Sequence, residues 1–321
     1  MNWRGSMCSR RRGRWLRAAC ACLLLAPALA GAAPLDVALV GDFDDARIVR
    51  VADALEQALA DGCPAPCSGQ PRVSRHAPAG VDSSAAASAD LLVAIGSQAG
   101  REVALAAPDA ATLYTFLPQA AWDELAACCV DQTRPHSALF IDQPLPRKFA
   151  LIRQLVPDAA RVAVLLGEVS AERRAALRRA ATQAGYALNT ADINDPDEIG
   201  SSLRRLVRDV DVLLALPDPR VYNRNTAYPI LLTTYSARVP VIGFSDAMVR
   251  AGAAAAVFAT PEDVGREIAR HVHDYQRSGT LPPPGFGREF SISVNDAVIR
   301  SLRLPDQTAA DLKHRLQERK P

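Results

Sequence analysis

The sequence has few of the residues and motifs that mark an enzyme or a nucleotide-binding protein. Among its 321 residues there are five histidines, and aromatic residues make up 5% of the chain. The first predicted strand ends in GDFDD rather than GxGxxG, and no GxxxxGK[ST] segment occurs. These absences argue against a dinucleotide site or a P-loop. No cluster of paired acids, or of cysteine with histidine, indicates a reaction centre. We therefore expect no catalytic site, no cofactor and no metal.

Long apolar runs are also scarce, and the one that approaches membrane-span length lies at the start of the chain. Six arginines between residues 4 and 17 form a basic region, residues 18–29 are apolar, and Ala28-Leu29-Ala30 has a small residue on either side of Leu29. This order is typical of a secretory signal peptide. We predict a cleavable signal at residues 1–30 and a periplasmic mature protein. A membrane anchor that stays attached is the alternative.

The mature chain has little excess charge. The whole sequence has 37 basic and 35 acidic residues, and residues 1–30 hold six of the arginines and no acid. The remainder therefore carries 31 basic and 35 acidic residues, a net charge of −4. A weakly acidic protein is a poor match for nucleic acid, so no nucleic-acid partner is expected.

Four cysteines remain after residue 30. An even number in an exported chain favours disulfides, and we expect Cys63 to pair with Cys67 across a short loop. Cys128 and Cys129 either bridge each other or pair elsewhere. No histidine lies near either pair in the sequence, so a metal site is the less favoured reading.

Strand-like and helix-like patterns alternate twice, before and after a connector near residue 144. This alternation predicts an α/β protein with two doubly wound parallel-sheet lobes and a ligand cleft between them. We place an N-terminal lobe at residues 34–143, with part of 256–280. The C-terminal lobe is placed at residues 144–255, with part of 285–321.

Two apolar runs are central to this prediction, VDVLLALPD at residues 210–218 and VPVIGFSD at residues 239–246. Short runs rich in Val, Leu and Ile indicate buried parallel strands, and ligands bind at the carboxyl ends of such strands. Polar and aromatic residues that follow predicted strands are therefore candidate ligand contacts. They are Asp42, Ser97, Thr115, Phe116, Asp218, Tyr222 and Ser245.

Each candidate also has a structural interpretation. Ser97 could cap a helix, Asp218 could belong to a turn before Pro219, and Tyr222 could be a packing residue. GFSDA at residues 243–247 has half of a nucleophile elbow, but Ala247 replaces its second glycine. A serine hydrolase is thus the weaker alternative to a binding protein.

Five segments carry a resemblance to a known family. They are LLVAIGSQA at residues 91–99, IDQPLPRKFALIRQLVPDAARVAVLLG at 141–167, VDVLLALPDPRVYN at 210–223, VPVIGFSDAMVRAGAAAAVF at 239–258 and FSISVNDAVIRSLRL at 290–304. In this order they resemble the substrate-binding proteins of ABC transporters with the type I periplasmic fold. Within that class they are similar to the family related to binders of tryptophan and other aromatic amino acids.

The resemblance implies a monomeric, non-catalytic protein that closes around a small molecule and delivers it to an ABC permease. It adds Asn223 to the candidate contacts, and it implies an amino acid-like ligand. A periplasmic ligand-sensing module that acts on a membrane sensor protein is the alternative, with the same fold.

Overall fold

A computed structural model describes residues 34–62, 69–81, 88–106 and 108–318. The predicted signal peptide and the predicted pair Cys63–Cys67 lie outside these residues. Cys128 and Cys129 are joined to each other by a disulfide, which is one of the two pairings that the sequence left open. No helix within the described residues is both long and apolar enough to cross a membrane.

Twelve strands of the described residues form two six-stranded sheets. The first sheet has the order β11-β5-β4-β3-β1-β2 and the second β12-β10-β9-β8-β6-β7. The strands are β1 (Asp36–Gly41), β2 (Arg72–His76), β3 (Leu91–Ile95), β4 (Ala111–Leu117), β5 (His136–Phe140), β6 (Arg161–Leu166), β7 (Ala187–Asp192), β8 (Val212–Leu214), β9 (Val241–Gly243), β10 (Ala255–Phe258), β11 (Gly285–Phe286) and β12 (Ser291–Val294).

Twelve α-helices accompany these strands in the described part of the chain. They are α1 (Ala46–Ala60), α2 (Ser97–Ala106), α3 (Gln119–Cys128), α4 (Leu145–Leu155), α5 (Glu168–Ala171), α6 (Arg174–Gln183), α7 (Ile199–Leu206), α8 (Ala227–Ser236), α9 (Asp246–Ala251), α10 (Pro261–Ser278), α11 (Asp296–Leu302) and α12 (Ala309–Glu318). The sequence pattern did not predict α3, α9 or α11. The side chains of Ser245 and Asn295 cap α9 and α11.

The first sheet is parallel throughout and is buried on both faces. In β3 every residue is buried, and alternate residues belong to different core clusters. Leu91, Val93 and Ile95 pack with helices α1 and α10, whereas Leu92 and Ala94 pack with α2 and α3. Two covered faces explain why the strand has a continuous apolar run instead of alternating polar and apolar residues.

The second sheet is parallel except for its edge strand β12, which runs antiparallel to β10. Strands β8 and β9 have three residues each, fewer than the apolar runs at residues 210–216 and 239–244 predict. Prolines limit both runs, because Pro217 and Pro240 have no N–H to donate to a neighbouring strand. The two sheets with their helices confirm the predicted fold of two doubly wound lobes.

The chain passes from one sheet to the other three times, at residues 141–144, 259–260 and 287–290. Helix α10 follows β10 of the second sheet but packs on the core of the first through Val264, Ile268 and Val272. It lies so close to α1 that a Cβ atom at Gly265 would be 2.6 Å from the carbonyl oxygen of Val51. The predicted lobe boundaries stay a prediction.

Two buried carboxylates accept hydrogen bonds from residues in or next to the passages at 259–260 and 287–290. Asp263 accepts hydrogen bonds from Thr260 N and from the Ser291 hydroxyl, at 3.0 and 2.7 Å. Glu267 accepts from Arg288 N and Glu289 N, each at 3.1 Å. Hydrogen bonds and ion pairs to neighbouring arginines compensate the cost of burying these charges.

Candidate ligand-binding site

A cavity of about 480 Å³ lies where strand ends of the two sheets meet. Its walls follow β4 and β5 of the first sheet and β6, β8 and β9 of the second, all at their carboxyl ends. This is the usual ligand position in open parallel sheets, and the volume suits a small molecule. The lining residues are Pro118, Ala120, Ala121, Glu124, Asp142, Leu145, Lys148, Val169, Ser170, Arg173, Leu177, Leu216, Pro217, Asp218, Pro219, Tyr222, Asn223 and Phe244.

Asp218 forms the polar centre of the second-sheet wall. Its side chain is 3% exposed, and Oδ2 accepts hydrogen bonds from the backbone N–H and the hydroxyl of Ser170, at 2.9 and 2.8 Å. Oδ1 accepts from Arg220 N at 3.0 Å. The carboxylate lies so close to Gly167 that a Cβ atom there would be 2.3 Å from Oδ1. Asp218 therefore links the ends of β6 and β8.

Tyr222 and Asn223 extend the same wall. The Tyr222 ring meets Phe244 edge to face, with 5.8 Å between ring centroids, and its buried hydroxyl has no hydrogen-bond partner among the described residues. Burial and the neighbouring Asp218 charge raise the pKa of Tyr222. Asn223 folds back on its own loop, since Oδ1 accepts from the N–H groups of Asn225 and Thr226.

The first-sheet wall begins after a bulge in β4. The pairing of β4 with β5 shifts between Thr115 and Leu117, and Phe116 between them has a φ of 57°. A non-glycine residue at positive φ is uncommon and marks a sharp local change of direction. Phe116 packs against the first-sheet core, so it is Pro118 and the first turns of α3 that reach the cavity.

The structure brings three of the eight predicted contacts together at the cavity: Asp218, Tyr222 and Asn223. The other five do not line it. Asp42 lies in an exposed turn, and Ser97 is the exposed first residue of α2. Thr115 is buried in the sheet, Phe116 packs against the core, and Ser245 is the N-cap of α9. Ligand binding by each of the eight stays a prediction.

Arg173 crosses the cavity from the second sheet's side to the first. Its Nη2 donates a hydrogen bond to Gln119 Oε1 at 2.7 Å, and its Nη1 lies 3.8 Å from Asp142 Oδ2. Asp142 Oδ2 also accepts from Gln119 N at 2.7 Å. Sequence reasoning missed this group of residues. Asp142 directly follows a predicted strand, so the rule that selected Asp42 and Asp218 could have found it.

Lys148 is the second cation that lines the cavity. Like Arg173, it is not among the contacts that the sequence predicts. Its side chain is 4% exposed and makes no hydrogen bond or ion pair with the described residues. Burial lowers its pKa to about 8, Asp142 opposes this shift, and Arg173 adds to it. Lys148 precedes the buried Leu151 and Ile152 by three and four residues, so it occupies an apolar position of the helix. That mismatch is the sequence signal that could have identified it.

Two parallel-sheet lobes with a cavity at their strand ends define the type I periplasmic binding protein fold. The profile of the family described as ABC transporter substrate binding protein matches residues 85–275. The match covers more than half of the chain, so the protein belongs to this family. A search among curated proteins finds no match.

Several solved structures share this fold. A ligand-free, open substrate-binding protein with adhesive properties from Clostridium difficile has 16% identity, covers 87% of this chain and 97% of its own, and gives a TM-score of 0.68. A Streptococcus pneumonia ABC domain in complex with L-Trp has 16% identity, coverage of 85% and 96%, and a TM-score of 0.53. A periplasmic ribose ABC transporter protein from Conexibacter woesei has 14% identity, coverage of 88% and 98%, and a TM-score of 0.50.

Proposed function

We propose that this protein is the periplasmic solute-binding component of an ABC-type importer and that it has no catalytic activity. It binds one small, amino acid-like molecule in the cavity between its lobes and presents it to a membrane permease. The observation that carries the proposal is the cavity itself, which is walled by strand ends of both sheets. Mostly apolar walls with a few convergent polar groups are typical of small-molecule sites.

The three passages between the sheets support a closing motion of the lobes. Bending at residues 141–144, 259–260 and 287–290 would change the angle between the sheets while each lobe keeps its own core. The bond from Arg173 to Gln119 spans the cavity, so it would change when the lobes move. In this proposal the N-terminal lobe is residues 34–143 with part of 256–280, as the sequence predicts.

Asp218 is the proposed contact for an amino group of the ligand. Its Oδ1 accepts a single hydrogen bond, from Arg220 N, and a carboxylate oxygen can accept two. The Tyr222 hydroxyl lacks a partner among the described residues, and a polar ligand atom would supply one. The similarity in fold to a protein crystallised with L-Trp agrees with an amino acid-like ligand.

Native mass spectrometry of the mature protein, purified without denaturation, tests this function. We expect a fraction of the wild-type protein to carry a bound molecule, and we expect this bound mass to be absent from Val169→Trp. Val169 lines the cavity and is exposed, so the larger tryptophan ring would fill the space. Leu105→Trp is the matched control, since Leu105 is exposed outside the cavity. Equal ligand mass in wild type and Val169→Trp, or turnover of the bound molecule, would contradict the proposal.

A further inference from the structure

Lys148 has the features of a ligand-binding residue. It is almost completely buried, it lines the cavity, and within the described residues its ammonium has neither a hydrogen bond nor an ion pair. A buried lysine is normally paired, because an isolated ammonium loses its hydration without compensation. The Lys148 ammonium therefore lacks, within the described residues, the direct partner that a buried charge normally has.

The use of lysine at this position is unusual for this chain. The sequence has three lysines, Lys148, Lys313 and Lys320, among 37 basic residues. In the ion pairs between described residues, every cation is an arginine apart from His314. Of the two lysines that the structure describes, the chain places the buried one at the cavity and leaves it out of these pairs.

The surroundings of Lys148 disfavour its charge. It lies in the first turn of α4, where the helix dipole repels a cation. Arg173, also a cation, lines the same cavity. Asp142 is the acid whose charge acts on Lys148, but its Oδ2 already accepts from Gln119 N and faces Arg173. Lys148 and Arg173 thus share the Asp142 carboxylate, and the charge of Asp123 acts on Arg173 as well.

The other two acids of the cavity, Glu124 and Asp218, do not pair with Lys148. Asp218 accepts three hydrogen bonds from Ser170 and Arg220 and makes no ion pair with Lys148. Glu124 is exposed on α3, where water screens its charge. Neither acid is among the charges that shift Lys148.

We propose that the cavity binds a small organic anion, with its carboxylate or equivalent acidic group on Lys148 and its apolar part against the surrounding walls. The inference rests on the proposed binding function and narrows its ligand class. Leu145, Leu177, Leu216 and Phe244 provide apolar surface in the same cavity. Arg173, which comes from the opposite wall to Gln119, is placed to bind the same anionic group when the lobes close.

Calorimetric titration with probes of similar shape but different charge tests the inference. The probes are phenylacetate and L-phenylalanine, then phenylacetamide and L-phenylalaninamide, in which a neutral carboxamide replaces the carboxylate, and finally inorganic phosphate. We expect at least one of the two carboxylates to bind, and to bind at least tenfold more tightly than its amide. A charge-assisted hydrogen bond in a dry site predicts that Lys148→Met weakens carboxylate binding roughly 100-fold.

Two controls separate the role of the charge from folding. Lys148→Met keeps the length and apolar character of the side chain, so amide binding should change less than threefold. Lys313→Met removes a lysine on α12 that is not part of the cavity, and it should leave all affinities unchanged. Phosphate tests whether the ligand is organic. If phosphate binds as tightly as the carboxylate probes or more tightly, the site favours an inorganic anion and the proposal is wrong.

The outcomes distinguish this inference from the proposed function. If an amide binds as tightly as its carboxylate, or Lys148→Met binds carboxylates like wild type, the anion site is wrong and the solute-binding function stands. Failure of both carboxylates to bind at millimolar concentration also counts against the anion site. If in addition native mass spectrometry finds no molecule lost in Val169→Trp, the binding function itself fails.

Discussion

Asp218 and Lys148 face the same cavity with opposite charges and nearly equal burial, 3% and 4% exposed. The Asp218 carboxylate accepts three hydrogen bonds from its own lobe, whereas the Lys148 ammonium has none with the described residues. Since buried charges need partners, the Asp218 carboxylate is stabilised without a ligand and keeps room at Oδ1 for one more hydrogen bond, whereas the Lys148 ammonium has no direct partner among the described residues. Asp218 therefore mainly builds the wall of the site, while the Lys148 ammonium is available to a ligand that enters it.

Asp218→Ala should give the largest effect. The substitution leaves Ser170 N, the Ser170 hydroxyl and Arg220 N without their acceptor, and we expect the free energy of unfolding to fall by roughly 4 kcal/mol. Urea denaturation measures the change. Asn223→Ala is the control from the same loop, and its loss should be smaller because that side chain is partly exposed. A stable Asp218→Ala protein with weakened ligand binding would reverse the assignment and make Asp218 primarily a ligand contact.

Lys148→Met should act in the opposite direction and raise the stability of the ligand-free protein. Lowering a lysine pKa from 10.5 to about 8 corresponds to a cost of about 3 kcal/mol for holding the proton in the folded state at neutral pH. Methionine avoids that cost and fills the same space. Urea denaturation at pH 7 compares the variant with wild type and with Lys313→Met. A loss of stability in Lys148→Met would show that Lys148 is structurally paired.

The same comparison has a defined dependence on pH. Because the folded pKa of Lys148 is below the unfolded one, the unfolded chain binds more protons between pH 8 and 10.5, and this group's contribution to stability rises through that window. The penalty is complete below pH 8. The stability difference between Lys148→Met and wild type should therefore shrink as pH rises from 8 to 10.5. A difference that stays constant over this range would contradict the lowered pKa.

Gly167→Ala should have an intermediate effect. The new Cβ atom would lie 2.3 Å from Asp218 Oδ1, so either the carboxylate or the backbone after β6 must move. We expect a loss of roughly 2 kcal/mol in the free energy of unfolding. Gly285→Ala is the matched control, since the nearest atom to its Cβ would be Pro283 O at 3.8 Å. Equal stability of the two variants would mean that Asp218 is not held against Gly167.

Arg173→Gln should have the smallest effect on stability. Arg173 is partly exposed and its ion pair with Asp142 is long, so a loss below about 1 kcal/mol is expected. Removing this cation should raise the pKa of Lys148, because Arg173 is one of the charges that lower it. An NMR titration of the lysine side chain measures the direction. A further decrease in the Lys148 pKa would contradict the described charge arrangement.

The strand-end rule explains which parts of the site could be predicted from the sequence. It selected Asp218, which lines the cavity, because the apolar run before it contains strand β8 of the second sheet. The same rule selected Asp42 and Ser97, which follow β1 and β3, but the cavity lies beside the ends of β4 and β5. Strand order in the sheet decides this, and no local pattern encodes it.

Other parts depended on local conformations that the pattern does not contain. The bulge at Phe116 turns that ring into the core, although the residue is next to a strand end. Helix α3 forms a wall of the cavity from a segment without a clear periodic pattern. Lys148 lies on the buried side of α4, and apolar periodicity alone does not identify a cation at such a position.

The most direct measurement is an NMR titration of the side-chain Cε signals in protein labelled with 13C-lysine, which contains three lysines. We predict that Lys148 titrates near pH 8 in the ligand-free protein and that its pKa rises when the tightest-binding carboxylate is added. A Lys148 signal that titrates near the ordinary lysine pKa of about 10.4, and that the carboxylate does not shift, would contradict the proposed anion site.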